Sequence, residues 1–327
     1  MRAVFAAGSA NVGDELNEWI WPALIGDLHQ NKVAVLGIGT LLNRHFCQRL
    51  EDASRILVLG TGAGYGAPPQ LDERWSFHAV RGRRTARALG LAADRAVADA
   101  AYLLASLDWR QPGPAHGEVV VVPHHRSLRY LDWHGVCEHA GVRFLSPLAP
   151  AAEFMQVLAG ARLVLSEAMH GAILADIARV PWQGFGFGGQ FNPDKWLDWA
   201  EMFDLELNIR SLPGFYDPTR FSAERPLRYH LGKVLKVQAS RLGLGRRKWQ
   251  RMTLPALRVA RAQARLSRHL EELAGLPGML SADAILHTRV EQLYQRVDAL
   301  RAELKAGAAS RLQGDGLAFL RAPLAGG

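Results

Sequence analysis

Cysteine is scarce in this 327-residue sequence, which contains only Cys47 and Cys137. Two cysteines exclude a disulfide framework and a cysteine-based metal cluster, and they suit a reducing compartment. No stretch reaches the roughly 18 apolar residues that a membrane-spanning helix needs. The first residues lack a basic region followed by a long apolar run, so no secretory signal is expected. These absences predict a cytoplasmic protein that is soluble, or peripheral to a membrane.

Acidic residues are absent from residues 225–270. Of the chain's 39 basic residues, 13 lie in this segment, which leaves 26 against 31 acidic residues elsewhere. A basic segment favours phosphate, whether in nucleic acid, anionic lipid headgroups or a diphosphate-linked substrate. Because Trp249, Met252, Leu254 and Leu257 interleave with the charges, residues 226–270 resemble a helix lying on the inner face of the inner membrane. An RNA-binding arm and a plain solvated helix are the alternatives, and we expect no nucleic acid.

Short apolar runs closed by glycine or proline alternate with helix-like segments, a pattern typical of parallel strands in an α/β sheet. Strands are predicted at residues 33–36, 56–59, 96–99, 118–122, 143–145 and 163–165. Helices are predicted at residues 15–25, 85–91, 133–140, 151–159 and 169–179. The proline- and glycine-rich segment 111–117 separates two α/β units, at 1–115 and 116–225. Open parallel sheets bind ligands at the carboxyl ends of their strands, so a cleft is expected where the units face each other.

The C-terminal region, 226–327, is predicted to be a basic helical extension. Its segment 286–304 has apolar residues at heptad spacing: Leu286, Val290, Leu293, Val297, Leu300 and Leu304. Such a stripe is the seam of a two-stranded coiled coil or a surface that packs on the body of the protein. The pattern leaves open a homodimer through 286–304 and intramolecular packing.

Six segments in order resemble one known family. They are NVGDELN at 11–17, the glycine turns at 37–42 and 59–66, HAVRGRRTARALGL at 78–91 with VADAAYLL at 97–104, VVPHHRS at 121–127, LVLSEAMHGAILADIARVPW at 163–182 and DKWLDWAEMFDLE at 194–206. Together they are similar to the polysaccharide pyruvyltransferases, in particular the xanthan- and succinoglycan-type enzymes. Many relatives have Gly-Asp-Pro where this chain has Ala98-Asp99-Ala100. The segment 163–182 is the most specific of the six.

The resemblance implies two Rossmann-like domains in a GT-B-like arrangement. It also implies phosphoenolpyruvate as donor and a polyprenyl-diphosphate-linked oligosaccharide as acceptor, with no cofactor and no metal. Forming a pyruvate ketal requires a site that binds two anionic groups, supplies an acid and helps to deprotonate sugar hydroxyls. Residues 1–115 are then expected on the acceptor side and 116–225 on the donor side.

His170 is the candidate acid, because imidazole titrates near neutrality and this residue stands between a strand and a helix. Backbone N–H groups at that helix start, with Ser166, are candidates for holding an anion. Arg81 and Arg84 are candidate carboxylate or phosphate ligands, since guanidinium binds both through paired hydrogen bonds. The alternatives are a histidine that packs locally and an arginine run on a solvated helix face.

His124 and His125 follow a strand end and are expected to line the pocket, whereas neighbouring histidines diverge too much to suggest a metal site. Lys195 is a candidate ligand of the donor phosphate or a surface lysine. Asn11, Gly13 and Asp14 form a turn on the acceptor side, where Asp14 deprotonates a sugar hydroxyl or merely caps the helix that follows.

Two other functions remain open. A nucleotide-sugar-dependent GT-B glycosyltransferase needs a carboxylate for the nucleotide ribose, and Glu167 is placed to supply one. A non-catalytic, membrane-associated assembly factor would act through the basic C-terminal region. An NAD enzyme is rejected because Gly60, Gly62, Gly64 and Gly66 do not have G-x-G-x-x-G spacing.

Overall fold

The protein is seen here in a computed structural model that describes residues 2–3, 11–26, 32–107, 117–187, 191–212, 214–217, 252–253 and 256–305. Most of the predicted boundary at 111–117 and of the basic segment 226–270 lies outside these ranges. The described residues form an α/β fold with two parallel sheets, as the sequence predicts. No helix among them is long and apolar enough to cross a membrane.

The first sheet has four parallel strands in the order β1-β2-β3-β4. Its elements are β1 (Arg2–Ala3), α1 (Val12–Ile25), β2 (Val33–Leu36), α2 (Arg44–Cys47), β3 (Arg55–Leu59), β4 (Trp75–Ala79) and α3 (Arg83–Ala88). Asn17 ties α1 to the end of β2, because its Oδ1 accepts hydrogen bonds from the Ile38 backbone N–H and the Trp21 indole N–H, both at 2.9 Å. This side chain thereby fixes α1 beside the carboxyl end of β2.

The second sheet has five parallel strands in the order β6-β5-β7-β8-β9. Its elements are β5 (Val119–Val122), α4 (Trp133–His139), β6 (Arg143–Phe144), α5 (Ala151–Ala159), β7 (Leu163–Ser166), α6 (Met169–Ile177), β8 (Trp182–Phe187), α7 (Pro193–Ala200) and β9 (Arg210–Leu212). A separate parallel pair joins β10 (Phe215–Tyr216) to β11 (Met252–Thr253).

Strand β5 is buried on both faces, which explains why it consists of four consecutive valines. Val120 and Val122 point into a core shared with the first sheet, whereas Val119 and Val121 point into a second core on the opposite face. Side chains alternate along a strand, so a strand buried on both faces has a continuous apolar run.

Two long helices end the described chain, α8 (Ala256–Ala274) and α9 (Asp283–Lys305). Apolar residues of α8 pack in the second core, among them Leu266, Leu270 and Leu273. The heptad residues of α9 from Leu286 to Leu300 are each at most 3% exposed and belong to the core of the first sheet. The stripe therefore packs on its own chain. A single chain does not test the alternative of a homodimer through 286–304, but most of the side chains of that seam are covered.

The region after β4 differs from the prediction. Residues 96–99 do not form a strand beyond one bridge between Val80 and Ala96. The reason is that the Asp99 side chain caps a 3₁₀ helix, Ala100–Ser106, by accepting a hydrogen bond from the Ala101 N–H. This helix packs between α6 and α9 and brings Asp99 close to the second sheet.

Candidate active site

A cavity of about 500 Å³ lies between the carboxyl ends of the two sheets. The first sheet contributes the turns after β2 and β3, with Thr40 and Tyr65, and the start of α1. The second sheet contributes the loop after β5 and the start of α6, with His170. The volume is in the range of small-molecule sites, and the position is the one at which open parallel sheets bind ligands.

His170 lies at the junction of the two units. It is the second residue of α6, and its ring packs directly on Gly13 of α1. A Cβ at residue 13 would lie 2.6 Å from the His170 Cγ and 2.8 Å from its Cε1, so only glycine allows this approach. The Nε2 atom is buried and lies 3.7 Å from Oδ2 of Asp99. The ring thus has one nitrogen enclosed by protein, and it lines the cavity.

Three cations line the cavity: Lys195, Arg126 and Arg129. Lys195 lies in the first turn of α7 and is only 9% exposed. Its Nζ lies 3.3 Å from the Tyr65 hydroxyl. Burial acts to raise the pKa of Tyr65, but the charge of Lys195 and its hydrogen bond, aided by Arg126, lower it overall. The phenol is therefore more acidic than usual, and this part of the cavity attracts anions.

His125 experiences the same field. Burial and then the charges of Arg126, Lys195 and Arg129 lower the pKa of His125 to about 4. It is neutral at physiological pH, so it offers a bound anion an N–H group rather than a full charge. The His124 ring packs beside it, with ring centroids 4.2 Å apart, and both line the cavity as expected from the sequence.

The turn before α1 forms the wall next to His170. Asn11, not Asp14, is the N-cap of α1, and its Oδ1 accepts hydrogen bonds from the backbone N–H groups of Gly13 and Asp14. The Asn11 amide also donates to Asp14 Oδ2 at 2.5 Å. Asn11 and Asp14 both line the cavity, and Asp14 is 7% exposed. A carboxylate and an imidazole thus share one end of the site.

The structure places Arg81 in the wall behind the cavity rather than on it. The side chain is fully buried and donates to Asp198 at 3.0 Å, Thr40 at 3.0 Å and the Ala63 carbonyl at 2.8 Å. Thr40 does line the cavity. Arg81 therefore joins α7 to the glycine turn after β3, which is a different position from the substrate contact expected from sequence.

Three other candidates also lie off the cavity. Arg84 pairs with Glu201 at 2.7 Å on the outer surface of α3 and α7. Ser166 donates to the Ala168 carbonyl at 2.7 Å and holds the turn before α6. Glu167 accepts from the His124 N–H at 2.8 Å and the Ser127 hydroxyl at 2.7 Å, so its carboxylate shapes the histidine loop. The contacts of Ser166 and Glu167 fix the turns that carry His170 and His124.

Sequence reasoning missed Tyr65, Arg126 and Arg129. Arg126 and Arg129 follow the histidine pair, and the 3₁₀ turn Ser127–Arg129 brings both to the same rim. The glycine turn at 60–66 contained Tyr65, an aromatic residue among glycines that warranted attention as a site residue. Among the described side chains, no group of three His, Cys, Asp or Glu is placed to hold a metal ion.

Comparisons with known proteins agree with the family resemblance. Residues 2–186 match the sequence profile of a family described as polysaccharide pyruvyl transferase. The chain is also 33% identical, over 207 residues, to the succinoglycan biosynthesis protein ExoV of Rhizobium meliloti (strain 1021). That alignment covers 62% of this chain and 65% of ExoV, slightly less than two thirds of the relative's length. No solved structure matches the chain.

Proposed function

We propose that this chain, which belongs to the polysaccharide pyruvyl transferase family, transfers a pyruvyl group from phosphoenolpyruvate to a sugar of an exopolysaccharide precursor. The product is a cyclic pyruvate ketal. The observation that supports this reaction most directly is that two kinds of side chain line the same cavity. The charges of Arg126, Lys195 and Arg129 act together on His125. The His170 imidazole packs on Gly13, next to the carboxylate of Asp14.

Lys195, Arg126 and Arg129 are proposed to bind the phosphate and carboxylate of phosphoenolpyruvate. Because the two arginines follow β5, the second unit supplies most of the donor site. Arginine forms paired hydrogen bonds with both anionic groups, and Lys195 adds a point charge. The neutral His125 donates a further hydrogen bond without adding charge.

His170 is proposed to protonate the methylene carbon of phosphoenolpyruvate, which places positive charge on the neighbouring carbon. A sugar hydroxyl then attacks that carbon, phosphate leaves, and a second hydroxyl closes the ring. The two sugar hydroxyls each lose a proton. One of these protons makes good the proton that His170 gave to the methylene carbon, and the other leaves with phosphate. Asp14 is proposed to accept a hydroxyl proton, since it lines the cavity next to Gly13, on which the His170 ring packs.

The finer architecture is part of this proposal. We infer a GT-B-like arrangement in which residues 1–115 receive the acceptor sugar and 116–225 bind the donor. The first unit presents a polar turn, Asn11 to Asp14, and the second presents the arginines. The similarity to ExoV, a succinoglycan biosynthesis protein, supports an exopolysaccharide acceptor. A polyprenyl-diphosphate-linked oligosaccharide suits an enzyme that works at the cytoplasmic face of a membrane.

Membrane contact is proposed to be electrostatic. The apolar side of α8 is packed in the second core, but Arg261, Arg265 and Arg268 are exposed and lie on one face of the helix. Each basic residue near an anionic surface contributes about 1 kcal/mol. Replacing all three by glutamine is expected to reduce flotation with anionic vesicles and to leave the weak flotation with neutral vesicles unchanged. Equal flotation of both proteins with anionic vesicles would contradict this role of α8.

The proposed reaction is tested by incubating the protein with phosphoenolpyruvate and a polyprenyl-linked oligosaccharide. We expect phosphate release and a mass gain of one pyruvate less one water on the acceptor. His170→Ala is expected to abolish both, whereas His139→Ala, on the exposed face of α4, is the matched control and should retain them. Lys195→Met is expected to raise KM for phosphoenolpyruvate by about 10- to 100-fold, from loss of one hydrogen bond to a charged group.

The alternatives predict other outcomes in the same assay. A glycosyltransferase would release nucleoside diphosphate from a nucleotide sugar and ignore phosphoenolpyruvate. Its expected ribose ligand, Glu167, is occupied in holding the histidine loop. An assembly factor would give neither product, and His170→Ala would leave its partners bound.

A further inference from the structure

Asp99 lies directly behind His170. It is fully buried at the start of the 3₁₀ helix Ala100–Ser106, and its Oδ1 accepts the Ala101 N–H at 3.0 Å. Its other oxygen, Oδ2, has no hydrogen-bond partner among the described residues. The Nε2 atom of His170 is also buried and has no hydrogen-bond partner within the described part of the chain, and these two atoms are 3.7 Å apart. Two unsatisfied polar atoms therefore face each other across a short gap.

Helix capping accounts for one carboxylate oxygen only. Burying the second oxygen without a partner is costly, and buried polar groups in native proteins are nearly always paired. The nearby group that can pair with it is an Nε2–H on His170. The separation is longer than a hydrogen bond, but catalytic hydrogen bonds are often long before substrate binds and shorten in the complex.

We propose that Asp99 is a positioning residue that holds His170 in the Nε2–H tautomer and stabilises its protonated form, an inference that rests on the proposed function. With Nε2 directed at Asp99, Nδ1, the ring nitrogen beside Gly13, is the one that exchanges a proton with substrate. In the protonation step the Nδ1–H bond breaks and a C–H bond forms at the methylene carbon, while Asp99 keeps its charge. A buried carboxylate behind a histidine serves other acid–base sites in the same way.

Asp99→Asn separates this role from helix capping. Asparagine is an equally good cap, but the cap requires its oxygen, which places the amide NH₂ group towards Nε2. Two donors cannot face each other, so His170 is expected to switch to the Nδ1–H tautomer. Turnover should fall by about 10- to 100-fold, the loss of one hydrogen bond to a charged group, with KM for phosphoenolpyruvate nearly unchanged.

Two measurements test the proposal on the full chain. The ¹⁵N chemical shifts of labelled His170 report the tautomer without any substrate, so this readout stands even if the protein transfers no pyruvyl group. Asp176→Asn is the matched control, because this buried carboxylate binds Tyr102 and Ser281 instead. The expected result is a tautomer switch in Asp99→Asn only. Asp99→Ser, a second capping variant without the amide, is expected to give a mixture of tautomers and covers the case in which asparagine is not tolerated.

The kinetic arm uses His170→Gln. If Asp99 acts through His170, the double variant Asp99→Asn, His170→Gln is expected to be no slower than His170→Gln alone. The inference is overturned if the capping variants leave the His170 shifts as in the wild type. It is also overturned if the two substitutions reduce turnover additively.

Discussion

Replacing Gly13 by alanine tests the packing of His170 on the first unit. The backbone of Gly13 is helical, and in an exposed helix alanine is favoured over glycine by about 1 kcal/mol. Here the added Cβ would lie 2.6 Å from the His170 Cγ and 2.8 Å from Cε1, whereas ordinary Cβ contacts begin at 3.4 Å. The substitution that helix propensity favours is therefore expected to be harmful at this position.

The His170 ring must move to make space for the added Cβ. Asp99 lies behind Nε2, and the ring is held at the start of α6, so relieving the overlap moves the ring by roughly 1 Å. A displacement of that size at a reacting group costs about 100-fold in rate. Overpacking a buried contact also lowers the free energy of unfolding by about 1–3 kcal/mol. We expect Gly13→Ala to fold, to be modestly destabilised and to lose most of its turnover.

The assay is phosphate release from phosphoenolpyruvate in the presence of acceptor, with urea unfolding measured in parallel. Gly275→Ala is the matched control, because a Cβ there meets its nearest neighbour, the Glu272 carbonyl oxygen, at an ordinary 3.6 Å. Its turnover and stability should stay close to those of the wild type. Wild-type turnover in Gly13→Ala would refute the close approach of His170 to α1.

Three further predictions concern stability. Arg81→Met is expected to lower the free energy of unfolding by about 3–5 kcal/mol, since it leaves the buried Asp198 charge without its partner; Asp198→Asn in the same chain should restore part of the loss in urea titrations. The pKa of His125 is lowered to about 4 in the folded protein, from an ordinary value of 6.5. Between these two pH values His125 is protonated in the unfolded chain but not in the folded one. The protein should therefore lose up to about 3 kcal/mol as pH falls from 6.5 to 4, and His125→Gln should remove this loss. Leu293→Ala is expected to cost about 2–5 kcal/mol, with a melting temperature independent of protein concentration.

Each of these has an outcome that contradicts it. A stable Arg81→Met protein with a raised KM for phosphoenolpyruvate would indicate that Arg81 contacts the substrate. His139→Gln serves as the control for His125→Gln, because His139 is exposed. If both variants gained the same stability at acid pH, the loss in the wild type would not come from His125. A melting temperature of Leu293→Ala that rises with protein concentration would indicate that α9 pairs with a second chain.

Much of the fold is predictable because buried parallel strands leave a clear pattern. Val33–Leu36 and the helix Ala151–Ala159 occur as predicted, and most other predicted elements shift by one or two residues. Strand β8 was not predicted, since Gly184 and Gly186 interrupt its apolar run. A Cβ at Gly184 would overlap the side chain of Ile209, which is far away in the sequence. A requirement that comes from a distant contact leaves no local signal.

The site was predictable only where a turn fixes the direction of a side chain. His125 lies in the loop after β5 and His170 at the start of the helix after β7, so their placement at the cavity follows from topology. Arg81 also follows a strand, yet it is turned into the wall by Asp198, which lies 117 residues away in the sequence. An arginine beside a cleft binds either a ligand or a buried carboxylate, and only the three-dimensional position of the carboxylate decides between them.

The proposed acid depends on both units at once, and this constrains how the site is built. His170 belongs to α6 of the second unit, but Gly13 of the first unit sets the position of its ring, and Asp99, at the edge of the first unit, faces its Nε2. The cations lie on the loop after β5 and on α7. A relative shift of the two units would therefore separate the imidazole from its supports while leaving the cations together. Substitutions at the contact between the units should then abolish turnover but leave donor binding intact. We therefore expect them to lower kcat, whereas substitutions of the cations should raise KM for phosphoenolpyruvate.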